Sequence, residues 1–124
     1  MIVLLDTSTP VSRLTVVNGD ERREREWEAG RQLARGLLGY LREQIGEFHA
    51  LTGIGVMKGP GSFTGLRIGL TVANTLADDL GIPIVGETGE EWQARALGRL
   101  AAGENEQIVM PEYGGDAHIT LPRK

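Results

Sequence analysis

The chain of 124 residues contains no cysteine and only two histidines, His49 and His118. Without cysteine there are no disulfides, thiolate metal sites or cysteine nucleophiles, and two imidazoles are too few for a histidine cluster. No metal or other cofactor is therefore expected. No apolar run approaches the roughly 18 to 20 residues that a bilayer crossing takes. The opening MIVLLDTSTP also lacks the basic stretch of a signal peptide, so no membrane contact and a cytoplasmic location are expected. An excess of positive charge is missing too, since 17 acidic against 13 basic side chains give a formal net charge of −4. Gripping nucleic acid through its phosphates takes a basic surface, so any such role is expected to need a basic partner. Glycine, by contrast, is abundant: 18 residues spread along the chain instead of gathered in a linker. With 40% hydrophobic residues the composition describes one compact domain with many tight turns.

Residues 2–5 (IVLL) are a continuous apolar run that stops at Asp6-Thr7-Ser8-Thr9-Pro10, the signature of a strand buried on both faces and hence central. Residues 12–17 form the next strand. Asn18-Gly19 follows it, a dipeptide suited to a type I′ hairpin turn, so the third strand runs back antiparallel. That strand, residues 21–28 (ERREREWE), has one apolar residue and suits a charge-protected edge; the alternative is a solvated charge run. Residues 30–48 place Leu33, Leu37, Leu38, Leu41, Ile45 and Phe48 at the period of an amphipathic helix. Gly36 and Gly39 inside it lower helix propensity, and close approach of another backbone would explain them.

Residues 54–57 read as a fourth, buried strand, and Lys58-Gly59-Pro60-Gly61-Ser62 breaks the chain before a second helix over 63–80. Leu66, Gly69, Leu70, Ala73, Leu76, Ala77 and Leu80 form its sheet-facing stripe. Its other faces carry Ile68, Thr71, Val72 and Thr75, with no charge between Arg67 and Asp78. A helix neutral all round is buried on two sides, and a chain this short has little with which to cover the second. Gly81 ends this helix and residues 82–85 (IPIV) read as a fifth strand. Thr88 and Glu91 have capping-box spacing for a third helix carrying Trp92, Ala96 and Leu100 and ending near Gly103. Residues 108–110 and 119–121 are short apolar stretches that pair as a loose hairpin in this reading.

The loop 59–65 (GPGSFTG) between strand and helix has the look of a phosphate cradle. It matches neither the Walker A spacing nor G-x-G-x-x-G, and Pro60 removes an N–H donor. Asp6, at the end of a central strand, stands where a metal-coupled or general-base carboxylate would; the rival reading has Asp6, Thr7, Ser8 and Thr9 satisfying turn backbone groups. Ser62 and Thr64 as nucleophiles lack a base, which favours helix capping. His49 is read as a residue at the dipole of the first helix. Arg67 either pairs with a partner carboxylate or phosphate or is a plain surface arginine.

MIVLLDTSTP, KGPGSFTGLRIGLTVANTLA and GIPIVG occur in this order and spacing, and together resemble the TsaB (YeaZ) family. The resemblance covers residues 1–87. It implies an α/β fold of the ribonuclease H-like, actin-like ATPase (ASKHA) type: a five-stranded mixed sheet with three antiparallel strands, then alternating helices and parallel strands. Residues 88–124 are then a third helix and short tail in place of the family's usual second domain. It also implies a non-catalytic subunit of the machinery that makes threonylcarbamoyladenosine at position 37 of tRNA. Such a subunit binds a TsaD-type catalytic partner through a helical bundle, with a TsaE-type ATPase joining them and tRNA reached only indirectly. The H-x-x-x-H pair of the catalytic paralogue is absent here.

The docking surface so implied comprises Gly36, Leu38, Gly39 and Arg42 on the first helix and Ser62, Phe63, Thr64, Arg67, Ile68, Thr71, Val72 and Thr75 on the second. The same face can form a homodimer when the partner is absent. The competing reading is a nucleotide-binding or ATP-hydrolysing domain that uses Asp6 and the 59–65 loop, with Thr7, Ser8 and Thr9 at the phosphates.

Overall fold

The computed structural model describes residues 1–113. Strands β1 (Ile2–Asp6), β2 (Val11–Asn18), β3 (Glu21–Glu28), β4 (Gly53–Met57) and β5 (Ile84–Glu87) form one sheet in the order β3-β2-β1-β4-β5. The apolar run at the start is thus the middle strand, antiparallel to β2 and parallel to β4, and the charged β3 is an edge. Helices α1 (Leu33–Ile45) and α2 (Phe63–Leu80) pack on one face of the sheet; α3 (Trp92–Ala101) packs on the other.

Strand alternation divides the core between these faces. Val3, Leu5, Leu14, Val16, Ile54, Val56 and Ile84 meet α1 and α2, while Leu4 and Val85 meet Trp92 and Ala96 of α3. Each such fully buried aliphatic side chain stabilises the fold by about 1.5–3 kcal/mol. Gly55 lets α3 come close, because a Cβ there would sit 3.0 Å from that of Ala96.

Several boundaries differ from the expected ones. The hairpin turn is Gly19-Asp20, with Asn18 paired to Glu21 inside the ladder and only Gly19 at positive φ, which is the pattern of a II′ turn. Asn18 is drawn into the strand by pairing. The first helix is shorter than residues 30–48: a 3-10 turn (Gly30–Gln32) precedes α1, and Gly46 at φ 86° ends it. Phe48 and His49 fall in a separate 3-10 turn (Phe48–Ala50), beyond the Gly46 that ends α1, where His49 Nδ1 lies 3.5 Å from Glu47 Oε1. The fifth strand starts at Ile84, two residues late, because Pro83 cannot donate to a ladder.

The capping box is not formed. Glu91 adopts a left-handed conformation with no side-chain cap, and the Thr88 carbonyl instead accepts from Arg95. Ser62 does cap α2, accepting from Gly65 N–H at 3.1 Å, and Gly81 closes it at φ 66°. Residues 108–110 form no strand. His118 and residues 119–121 lie outside the described residues.

Candidate docking face on the paired helices

The loops after β1 and β4 meet at the carboxyl end of the sheet, and their polar groups are engaged with one another. Asp6 Oδ1 accepts from both the N–H and the hydroxyl of Ser8, at 2.9 and 2.6 Å. The Thr7 hydroxyl, 1% exposed, donates to the Gly65 carbonyl at 2.8 Å, and the Thr9 hydroxyl donates to the Val11 carbonyl. Ser62 N–H donates to the Ser8 carbonyl, with Gly61 and Gly65 pressed against Ser8 and Thr7 so closely that neither tolerates a Cβ. The two loops are thereby clasped together. Among the described residues no three His, Cys, Asp or Glu side chains converge as a metal site requires.

The neighbouring face of α1 and α2 is more open. Ala34, Thr64, Arg67, Ile68, Thr71 and Val72 line a groove of about 440 Å³ between the helices. Ile68 and Val72 are half-buried in it, and Thr64, Thr71 and Thr75 stand exposed along the outer ridge of α2. Leu38, 52% exposed, rises from α1 beside exposed Gly39 and Arg42, the latter placing its guanidinium over the Phe48 ring. Phe63, 54% exposed, stacks on Tyr113 with ring centroids 4.4 Å apart, and Arg67 lies over its outer side. Ser62 is exposed at the helix start.

The two glycines of α1 separate here. Nothing lies within 4 Å of where a Gly39 Cβ would be, so that side of the helix is free. Gly36 is occupied from within: a Cβ there would meet the Trp27 ring at 3.0 Å. Its close approach is to the indole of β3, which stacks on Tyr40 at 4.8 Å, and not to another molecule. Burial pushes the Tyr40 hydroxyl above its ordinary pKa, Arg25 opposes this and Glu43 adds to it.

The chain's own tail takes one flank of α2. Asn74 grips the backbone of Val109 twice, its amide donating to the carbonyl at 3.0 Å and its oxygen accepting from the N–H at 2.8 Å. Val109 is 1% exposed and packs over Gly86. So α2 is covered on a second side partly by the chain itself, and among the described residues the face left open is narrower than the charge-free stretch implies. The same tail caps the free edge of β5: Ile84 N–H donates to Asn105 Oδ1, its carbonyl accepts from Glu106 N–H, and Gly86 N–H donates to Glu106 Oε2. Arg99 completes the edge through the Gly86 carbonyl while pairing with Glu87, Glu104 and Glu106. The Glu104 hydrogen bond raises the Arg99 pKa above its ordinary value against the opposing effect of burial, and Glu87 and Glu106 add to the rise. Asn74 and Arg99 had only a weak mark in the sequence, a poor helix former inside a helix and one cation among several.

The chain is similar to known proteins in sequence and in fold. The family model for TsaD, tRNA N6-adenosine threonylcarbamoyltransferase, matches residues 32–107. The tRNA threonylcarbamoyladenosine biosynthesis protein TsaB of Bacillus subtilis (strain 168) is 65% identical over 34 residues, which are 27% of this chain and 15% of that protein. The solved structure of YeaZ from Pseudomonas aeruginosa superposes with a TM-score of 0.62 at 28% identity, over 70% of this chain and 43% of that one. A second structure, described as an uncharacterised protein with similarity to peptidase YeaZ from the same organism, gives 0.57 at 26% identity over 70% and 42%. The chain thus spans less than half the length of the solved chains it matches. The expected α/β fold of the actin-like, ribonuclease H-like type is the observed one. With more than half of its residues matched by the family model and YeaZ as its structural neighbour, the chain belongs to the TsaD family of tRNA N6-adenosine threonylcarbamoyltransferases, as a member of its TsaB/YeaZ branch.

Proposed function

We propose that this protein is a non-catalytic subunit in the making of threonylcarbamoyladenosine at position 37 of tRNA, and that α1 and α2 dock onto a TsaD-type catalytic subunit to form a heterodimer. The observation that carries this reading is the open face of the two helices, an apolar groove at Ile68 and Val72 with Leu38 and Phe63 exposed at its margins. Ridges on one helix pair pack into such grooves on another, and the small side chains Ala34, Gly39, Thr71 and Thr75 allow close approach. The name of the Bacillus relative supports the process. In this reading residues 1–87 form the docking domain, residues 88–124 are a third helix and short tail in place of the family's usual second domain, a TsaE-type ATPase joins the pair, and tRNA is reached through the partner. A second copy covers the same face when the partner is missing.

The non-catalytic assignment is supported by the engagement of Asp6, Thr7 and Ser62 in loop and cap hydrogen bonds. The same bonds weigh against the nucleotide-binding reading, because phosphate would compete for groups already satisfied. The test is co-purification with the cognate TsaD-type subunit by size exclusion. Thr71→Asp, at an exposed site, is expected to abolish the complex while leaving the far-UV spectrum and melting curve in place, and Val72→Asp, at a half-buried one, to abolish it with the far-UV spectrum kept. A complex that survives both substitutions refutes the docking assignment.

A further inference from the structure

The cations of the described residues fall into two populations. Arg13, Arg22, Lys58, Arg95 and Arg99 are ion-paired within the chain. Arg23, Arg25, Arg31, Arg35, Arg42 and Arg67 make no ion pair among the described residues, and all six stand on the helical side of the sheet. Strand alternation biases the charge on β3: Arg23 and Arg25, with Glu21, share the parity of residues in register with Val16 and Leu14, which face the helices, whereas Glu24, Glu26 and Glu28, with Arg22, fall on the opposite side.

The helices extend the pattern. Neither α1 nor α2 has an acid in its first turn, where the dipole favours one. Arg31 and Arg35 stand at the start of α1 and Arg67 near the start of α2, while α2 ends on Asp78 and Asp79. Arg67 and the two aspartates oppose the dipole of α2, and Arg67 makes no ion pair among the described residues. Arg31 and Arg67 line adjoining grooves that share Thr64 and Ile68, and exposed Arg35 follows Arg31 by four residues and adjoins Ala34 in the chain, so a basic corner borders the apolar groove.

From this we infer that the docking partner is a protein that presents carboxylates opposite Arg31, Arg35 and Arg67. The inference rests on the docking reading and names the chemistry of its partner. Docking removes water from the corner, and a desolvated cation without a counter-charge is strongly unfavourable, so the partner must supply anions. Guanidinium forks match carboxylates bidentately. Phosphate-tracking grooves also use arginine, but along a continuous basic path with successive aromatics free to stack on bases, whereas the aromatic beside Arg67, Phe63, is already paired with Tyr113. Here Arg67 lines the groove together with Ala34 and Ile68, a mixture of arginine and apolar side chains that protein interfaces favour.

Biolayer interferometry on immobilised cognate TsaD-type subunit tests this, with the full chain as analyte at about 0.05 and 0.5 M salt, where screening lengths differ several-fold. The triple variant Arg31→Glu/Arg35→Glu/Arg67→Glu is expected to associate about tenfold or more slowly at low salt, with the gap narrowing at high salt. Val72→Asp is expected to lose binding at both. A triple variant that binds within about twofold of the parent at low salt, beside a dead Val72→Asp, overturns the charge inference and leaves docking intact. If Val72→Asp binds normally as well, docking itself falls. Unchanged subunit binding by the triple variant with lost retention of tRNA on filters assigns the corner to phosphate, and unchanged binding with a shifted monomer–dimer equilibrium assigns it to a second copy; either overturns the inference. Superposable melting curves for parent and variants establish that folding is not the cause.

Discussion

Gly69→Ala and Gly39→Ala are the same substitution on two helices of one layer, and the structure gives them opposite signs. A Cβ at Gly69 would lie 2.9 Å from Thr7 Cβ and Cγ2 and closer still to its hydroxyl oxygen, at a site where Thr7 is 1% exposed. Thr7 belongs to the loop after the central strand and cannot retreat without surrendering its hydrogen bond to Gly65. Overpacking of this kind costs about 1–3 kcal/mol. Loss of the buried hydrogen bond adds about 0.5–1.5 kcal/mol. Alanine returns at most about 1 kcal/mol of helix propensity. The net expectation is destabilisation by roughly 1–3 kcal/mol. Gly39 has open space around it and an ordinary φ, so only propensity acts there and the variant gains about 0.5–1 kcal/mol. Urea unfolding reads both, as a lower midpoint for Gly69→Ala and a higher one for Gly39→Ala at unchanged slope. Thr7→Ala in the Gly69→Ala background should recover part of the loss, which a double-mutant cycle isolates. A Gly69→Ala protein as stable as the parent refutes the reasoning.

Other outcomes follow from the same contacts. Asn74→Ala strips two hydrogen bonds from the backbone of Val109 and is expected to cost about 2 kcal/mol and to speed proteolytic cleavage within residues 104–113, while resistance equal to the parent's would show that Val109 burial alone holds the tail. Burial pushes the Glu87 carboxyl up, but hydrogen bonds from Arg95 and Arg99 outweigh it and hold the pKa below its ordinary value. A carboxylate held down stabilises the fold above its unfolded pKa of about 4.3, and that contribution is lost as the pH falls through the folded value. Melting temperature should therefore drop on acidification below about pH 4, less steeply for Glu87→Gln than for the parent; identical slopes would remove Glu87 from the acid response. Gly39→Leu should leave the melting temperature near the parent's yet weaken the complex with the TsaD-type subunit, and an unchanged complex would take Gly39 out of the docking face.

Periodicity and punctuation were enough to read the order of the five strands and three α-helices of the described residues, because these patterns are local. The span of α2 followed from a stripe at helical spacing bounded by Ser62, which caps it, and Gly81, which closes it in the left-handed region. The central place of β1 followed from an apolar run with no polar face to show to water. The capping box at Thr88 and Glu91 misled, because Glu91 is itself the N-cap of α3, in a left-handed conformation with no side-chain cap. Gly36 was read as a sign of a second molecule when its neighbour is Trp27 of the same chain.

Partners far apart in sequence carry no local pattern, and tertiary structure alone chose them. Thr7 meets Gly65 across 58 positions and Asn74 meets Val109 across 35. These contacts clasp the loops that resembled a phosphate cradle and fold the tail over one flank of α2. What the sequence by itself determined is which segments are helix or strand, through the spacing of their apolar residues. Which helix surface remained open was settled only when chain closure brought distant groups together and used up the rest.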